Sequence, residues 1–196
     1  MKKSMPVLIG LVGVVVVAII WAIGVRNKFV TAEEGVENAW SQVESVYQRR
    51  FDLIPQLVNT VKGAANYEKE TMIGVVEARS NVVKIDANEL TEENVAKFQK
   101  SQDALTSALN KSIQLTVERY PELTATKGFQ DLQTQLEGTE NRIAVERQKF
   151  NDVVKGYNVM IRRFPASMVA GMMGAEKKGY FTASSGAENA VEVNFD

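Results

Sequence analysis

Residues 7–25 read VLIGLVGVVVVAIIWAIGV, an uncharged apolar run without equal elsewhere in the chain. About 20 apolar residues at roughly 1.5 Å rise match a hydrocarbon core about 30 Å thick, so the run is read as a single transmembrane helix. A secretory h-region is shorter, about 7–15 residues, and ends in a small-residue cleavage site. Ala22-Ile23-Gly24 is a poor version of such a site, and the absence of cysteine excludes lipoprotein processing. The run is therefore expected to stay as an anchor behind a short N-terminal tip, residues 1–6.

Orientation follows the basic residues beside the run. Lys2 and Lys3 precede it, and Arg26 and Lys28 follow it. The counts tie, and the lysine-led tip favours a cytoplasmic N-terminus with the bulk of the chain on the exported side. Trp21 lies inside the run, where lipid packing and an interfacial position are both open to it.

The remaining residues suffice for one domain with a continuous core. A net charge of −1 gives no overall field to attract nucleic acid, and no nucleic-acid-binding signature is present. Histidine and cysteine are both absent. That removes Ser-His-Asp and Cys-His catalysis, the usual zinc sites, haem ligation through histidine and the Glu-x-x-His pairs of di-iron bundles. No catalytic residue, cofactor or metal site is assigned.

Outward from the anchor, apolar residues recur at alternating three- and four-residue steps, the seam of packed helices. Val36, Trp40, Val43 and Tyr47 form the first stripe, followed by Ile54, Val58, Val61, Ala65, Met72, Val76 and Val83. After a polar break at residues 86–90, Thr91 can cap a helix with Glu92 and Glu93 in its first turn. That helix carries Val95, Phe98, Leu105, Leu109, Ile113 and Tyr120. Beyond Pro121, Thr124 or Thr126 can cap a last helix with Phe129, Leu132, Leu136, Ile143, Phe150, Val154, Tyr157, Ile161 and Phe164. Only residues 191–195 alternate like a strand, too few to build a sheet.

The fold class is all-α: the transmembrane helix, then an elongated antiparallel four-helix bundle over residues 26–164. An interior proline costs about 3 kcal/mol, so Pro55 is placed in the first turn of a new helix, with a break around Arg50 to Ile54. A break near Asn66, or one unbroken helix, are the alternatives. With four rods, helix four returns to the membrane and brings Pro165 close to it. Residues 165–181 then form a Met/Gly-rich flap over the end of the bundle or an interfacial segment using Met172, Met173, Lys177, Lys178, Tyr180 and Phe181. Residues 182–196 are read as a flexible tail.

Residues 48–68, QRRFDLIPQLVNTVKGAANYE, and 120–165, YPELTATKGFQDLQTQLEGTENRIAVERQKFNDVVKGYNVMIRRFP, resemble the two signatures of the LemA family of bacterial membrane-anchored proteins. Gly171 to Phe181 resembles that family's closing Ala-Gly-x-x-Gly and Lys-x-Tyr-Phe pattern. Two departures are an alanine, Ala64, in place of an aromatic and Tyr67 where the family often has histidine. The resemblance implies a single-pass protein of the bacterial inner membrane with an elongated helical bundle, and brings no established reaction.

Two polar groups are singled out. Arg49, Arg50 and Asp52 form a cap and turn, or a ligand or partner site, at the membrane-distal corner. Glu140, Asn141 and Arg147 interrupt the last seam and lie either in a buried polar layer or on its solvated edge. The acidic group Glu33, Glu34 and Glu37 reads as a solvated helix face. The expected role is a non-catalytic scaffold or homo-oligomeric assembly element, with the lipid bilayer, further copies and other membrane proteins as partners. Gly10 and Gly13 would allow close approach of anchors. The alternative is a sensor-like binding module whose bundle responds to a ligand or protein partner.

Overall fold

A computed structural model describes residues 4–63 and 70–183 of the chain. The N-terminal tip up to Lys3, the Asn66 break with Ala64, Ala65 and Tyr67, and the tail from residue 184 lie outside the described residues. Helix α1 spans Ser4–Lys62, and α2 spans Glu70–Ser80. An extended stretch with one 3-10 turn, Ala87–Glu89, leads into α3, Glu92–Arg119. A short α4, Pro121–Thr124, is followed by α5, Lys127–Arg162, and α6, Ala166–Met172. No strand occurs among the described residues.

The first helix runs 59 residues without a break, about 88 Å at 1.5 Å per residue. Leu8 to Trp21 stands free of the rest of the molecule, with large apolar side chains exposed, and this helix is long and apolar enough to cross a membrane.

The break expected at Arg50 to Ile54 is absent: Pro55 sits inside α1. Tertiary packing overrides its local cost. Pro55 faces solvent, so water can satisfy the Phe51 carbonyl that loses its amide partner. On the opposite face Leu53, Ile54 and Leu57 are at most 4% exposed. Each such side chain contributes about 1.5–3 kcal/mol on burial, more together than the roughly 3 kcal/mol a helical proline costs. The helix ends instead at Gly63, whose amide bonds back to Asn59 at 3.2 Å.

The expected four rods of matched length are likewise not what forms. Three long helices, the domain half of α1 with α3 and α5, pack together, and the 11-residue α2 with the extended stretch after it fills the fourth position. Val76 and Val83, expected on the seam, are exposed, while Met72 and Val75 are buried. Met72 meets Ser112 of α3, and Val83 meets Ser101, so this segment descends as α3 rises. Thr91 caps α3 by accepting from Asn94, and Thr126 caps α5 by accepting from Phe129.

The core divides into two clusters along the bundle axis. The lower holds Val36, Trp40, Val43, Tyr47, Phe98, Ile143, Phe150, Val154 and Tyr157. The upper holds Leu53, Ile54, Leu57, Val61, Leu105, Leu109, Phe129, Leu132 and Leu136. Ascending numbers on α1 pair with descending numbers on α5, so those helices are antiparallel.

Candidate functional site

Between the two clusters lies a polar layer, and the heptad steps explain its position. On α1 the series Val43, Tyr47, Arg50, Ile54, Leu57, Val61 advances by fours and threes, so Arg50 occupies a core position. At the same level α3 presents Gln102 between Phe98 and Leu105, and α5 presents Thr139 and Glu140 between Leu136 and Ile143. Arg50 is 2% exposed. Its Nη1 donates to Thr106 Oγ1 at 2.6 Å and to Glu140 Oε2 at 3.0 Å. Its Nη2 donates to the Gln102 side-chain oxygen and, at 3.4 Å, to the Gln102 carbonyl. Thr106 passes its own proton to the same carbonyl at 3.1 Å. The guanidinium also lies 5.0 Å from the Tyr47 ring centre, while its Nε is buried without a partner.

A buried guanidinium needs both charge compensation and occupied donors. Glu140 supplies the charge, with about half its side chain open to water. A cleft of about 300 Å³ opens beside this pair, with Asn110, Gln114 and Gln133 on its walls. Burial pushes the Tyr47 phenol above its usual range, and the nearby Arg147 and Arg50 charges pull against that shift.

A second site is built around the segment that follows α6. Residues 175–183 run extended along the groove between α3 and α5 and are gripped through their backbone. Asn158 exchanges two hydrogen bonds with the Lys178 backbone, both at 2.9 Å. Asn151 does the same for Phe181 at 2.8 and 2.9 Å. Gln99 does so for Thr182 at 3.0 and 2.9 Å. Gly179 donates to the Leu90 carbonyl at 2.8 Å, and a Cβ there would lie 2.7 Å from the Thr91 oxygen and 2.8 Å from Glu92 Cα. Only glycine fits so close an approach.

This strap delivers the Phe181 ring into the lower core. The ring stacks on Trp40 at 6.1 Å and meets Phe150 and Phe98 edge-on at 5.5 and 6.2 Å. Arg147 covers it, 4.8 Å from the ring centre, and donates to the Thr182 carbonyl at 3.0 Å.

The residues singled out from sequence therefore separate. Arg50 and Glu140 meet each other in mid-bundle, not at a distal corner. Arg49 and Asn141 are exposed, and Asp52, also exposed, accepts from Gln48 at 2.7 Å. Arg147 belongs to the strap and pairs with Asp103 at 3.7 Å. The membrane-interface group divides too. Phe181 is buried in the lower core, and Tyr180, half-buried, packs against it. Lys177 bonds Glu92 at 3.2 Å and Lys178 bonds Glu33 at 3.5 Å. Met172 and Met173 stay exposed.

Sequence reasoning missed Gln99, Gln102, Thr106, Asn151 and Asn158. Asn151 and Asn158 follow the core residues Phe150 and Tyr157 at a seven-residue spacing, which marks one helix face beside the seam. Among the described residues no group of three or more Asp or Glu side chains stands close enough to hold a metal ion.

Protein LemA of Metamycoplasma hominis is 25% identical over 163 residues, covering 83% of this chain and 71% of the relative. Magnetosome proteins MamQ 1 and MamQ 2 of Paramagnetospirillum magneticum are each 23% identical over 184 residues, covering 84% of this chain and 67% of the relative. Residues 39–195 match the LemA family, a span that includes the Arg50 layer and the strap, and the chain belongs to that family.

Proposed function

We propose that this protein is a non-catalytic, membrane-tethered scaffold that assembles with further copies of itself. The observation that carries this reading is the continuity of α1, one helix from the apolar run to the top of the bundle. A flexible linker would decouple anchor from domain, whereas an unbroken helix transmits the orientation of one to the other. The side chains of the mid-bundle polar layer bond chiefly to one another, as structural groups do. The membrane is the bacterial inner membrane, with the N-terminus cytoplasmic and the bundle exported.

Self-association runs through the anchors, where Gly10 and Gly13 present open surface on which nothing sits within 4 Å of a Cβ. The native chain has no cysteine, so a single Gly13→Cys reports its neighbours without background. Oxidation in native membranes should give a disulfide-linked dimer. Exclusively monomeric protein at that position and at neighbouring single-cysteine positions along the run contradicts assembly through the anchors.

A sensor-like reading draws support from one feature, the cleft beside Arg50 and the half-open Glu140. A ligand entering there would compete for the Arg50 donors and shift helix packing. Thermal-shift screening of small carboxylates and phosphates against native and Arg50→Met protein tests it. A shift confined to the native protein supports a sensor, and its absence across the screen favours the scaffold.

A further inference from the structure

Where the bundle ends relative to the bilayer can be read from the pairing of α1 with α5. A Cβ on Gly35 would touch Val153 Cγ1 at 3.8 Å, which places those two residues at one level. The helices are antiparallel, so moving about 16 Å down both axes from that level reaches Gly24 on α1 and the vicinity of Phe164 beyond α5. Gly24 lies at the end of the apolar run. Ala22 and Val25, also in the run, are half-buried on the face that continues to buried Phe29, so domain packing overlaps the anchor's last turn.

At that level the molecule exposes Phe164, at 77%, and α6 climbing from it exposes Met168 at 59% and Met172 at 87%, the last beside Met173, which lines a cleft with Phe29 and Tyr157. They lie at the end of α5 and along α6, which packs on both α5 and α1. Arg26, Lys28, Arg162 and Arg163 are exposed beside them. Apolar side chains at the acyl boundary with basic ones snorkelling to phosphate is the composition of an interfacial contact.

We infer that Phe164, Met168 and Met172 form a second membrane contact, in which the base of the bundle lies on the headgroup–acyl boundary of an anionic bilayer. Two attachments, one spanning and one lying on the surface, fix the tilt and rotation of the rod that a single helix would leave free. The inference rests on the tether reading, because the level of the stripe is defined by where the apolar run ends.

The test uses full-length protein reconstituted in phosphatidylcholine–phosphatidylglycerol vesicles, with an environment-sensitive fluorophore on single cysteines. Positions are Phe164→Cys, Met168→Cys and Met172→Cys, with Ile20→Cys reporting the anchor and Lys127→Cys the far end of α5. These sites are exposed, so labelling leaves the fold intact. The expected result is emission about twofold brighter than at position 127 and quenched by brominated acyl chains, as at position 20. Quenching at position 20 but at none of the stripe positions overturns the inference and leaves the tether standing. Shielding of the stripe from both lipid-borne and aqueous quenchers also overturns it, in favour of a protein contact. No lipid quenching at position 20 removes the tether itself and the inference with it.

Discussion

Arg50 of α1 and Glu140 of α5, ninety residues apart in sequence, meet at 3.0 Å between two apolar clusters of one bundle. Their exposures differ sharply, 3% for the arginine side chain and 49% for the glutamate. The layer fixes the register of three helices, because only one alignment brings Arg50 level with Gln102 and Glu140 together.

That asymmetry predicts unequal costs. Arg50→Ala strands the Gln102 side-chain oxygen and opens a cavity, and should cost about 2–4 kcal/mol. Glu140→Gln keeps an acceptor for Arg50 but removes its counter-ion, and with one side of the pair open to water the cost should be about 2 kcal/mol. Arg50→Met, which keeps volume and removes the charge, should fall well short of the alanine loss. Chemical denaturation of the three variants checks the order.

Gly179→Ala should dislodge the strap, since its new Cβ would lie inside contact distance of Thr91 and Glu92. Amide exchange at residues 178–182 is expected to rise steeply while the α1 core stays protected. Phe181→Ala removes a ring packed on Trp40, Phe98 and Phe150 and should cost about 3–5 kcal/mol. Unchanged exchange in the glycine variant would show that the strap does not lie against α3.

Much of this arrangement could be read from the chain before its structure. The apolar run, the α5 seam and the Thr91 cap each have a local or periodic cause, so they appear as patterns. The path of α1 through Pro55 does not, because its cause is the packing of Leu53, Ile54 and Leu57 against distant segments. The strap was illegible for a different reason. Its extended backbone is held by side-chain amides of Gln99, Asn151 and Asn158, and such bonds have no repeat in the segment they hold. Phe164 looked like a seam residue because the three–four rhythm continues past the end of the helix at Arg162.

Pro55→Ala tests the helix directly. At an exposed site in a continuous helix the exchange restores a hydrogen bond and should stabilise by about 1–3 kcal/mol. At the first turn of a separate helix it would bring no such gain, since proline is favoured there.

Tyr47 sets an alkaline limit. Burial raises its phenol above the usual value of 10. Below that value both folded and unfolded states are protonated and the contribution is intact. As pH climbs past it, the unfolded chain ionises first and stability falls. Between pH 9 and 11 the native protein should lose more stability than Tyr47→Phe, followed by the urea midpoint at each pH. Equal losses would show that the phenol is not held neutral by burial.

The continuity of α1 from membrane to bundle top is best measured as a distance. Spin labels at Lys28→Cys and Asn59→Cys, both exposed, sit 31 residues apart along the helix. Double electron–electron resonance on the reconstituted protein should give about 47 Å, 1.5 Å for each residue. A separation near 26 Å, the value for a chain that folds back around Arg50 to Ile54, would contradict the rigid rod on which the account stands.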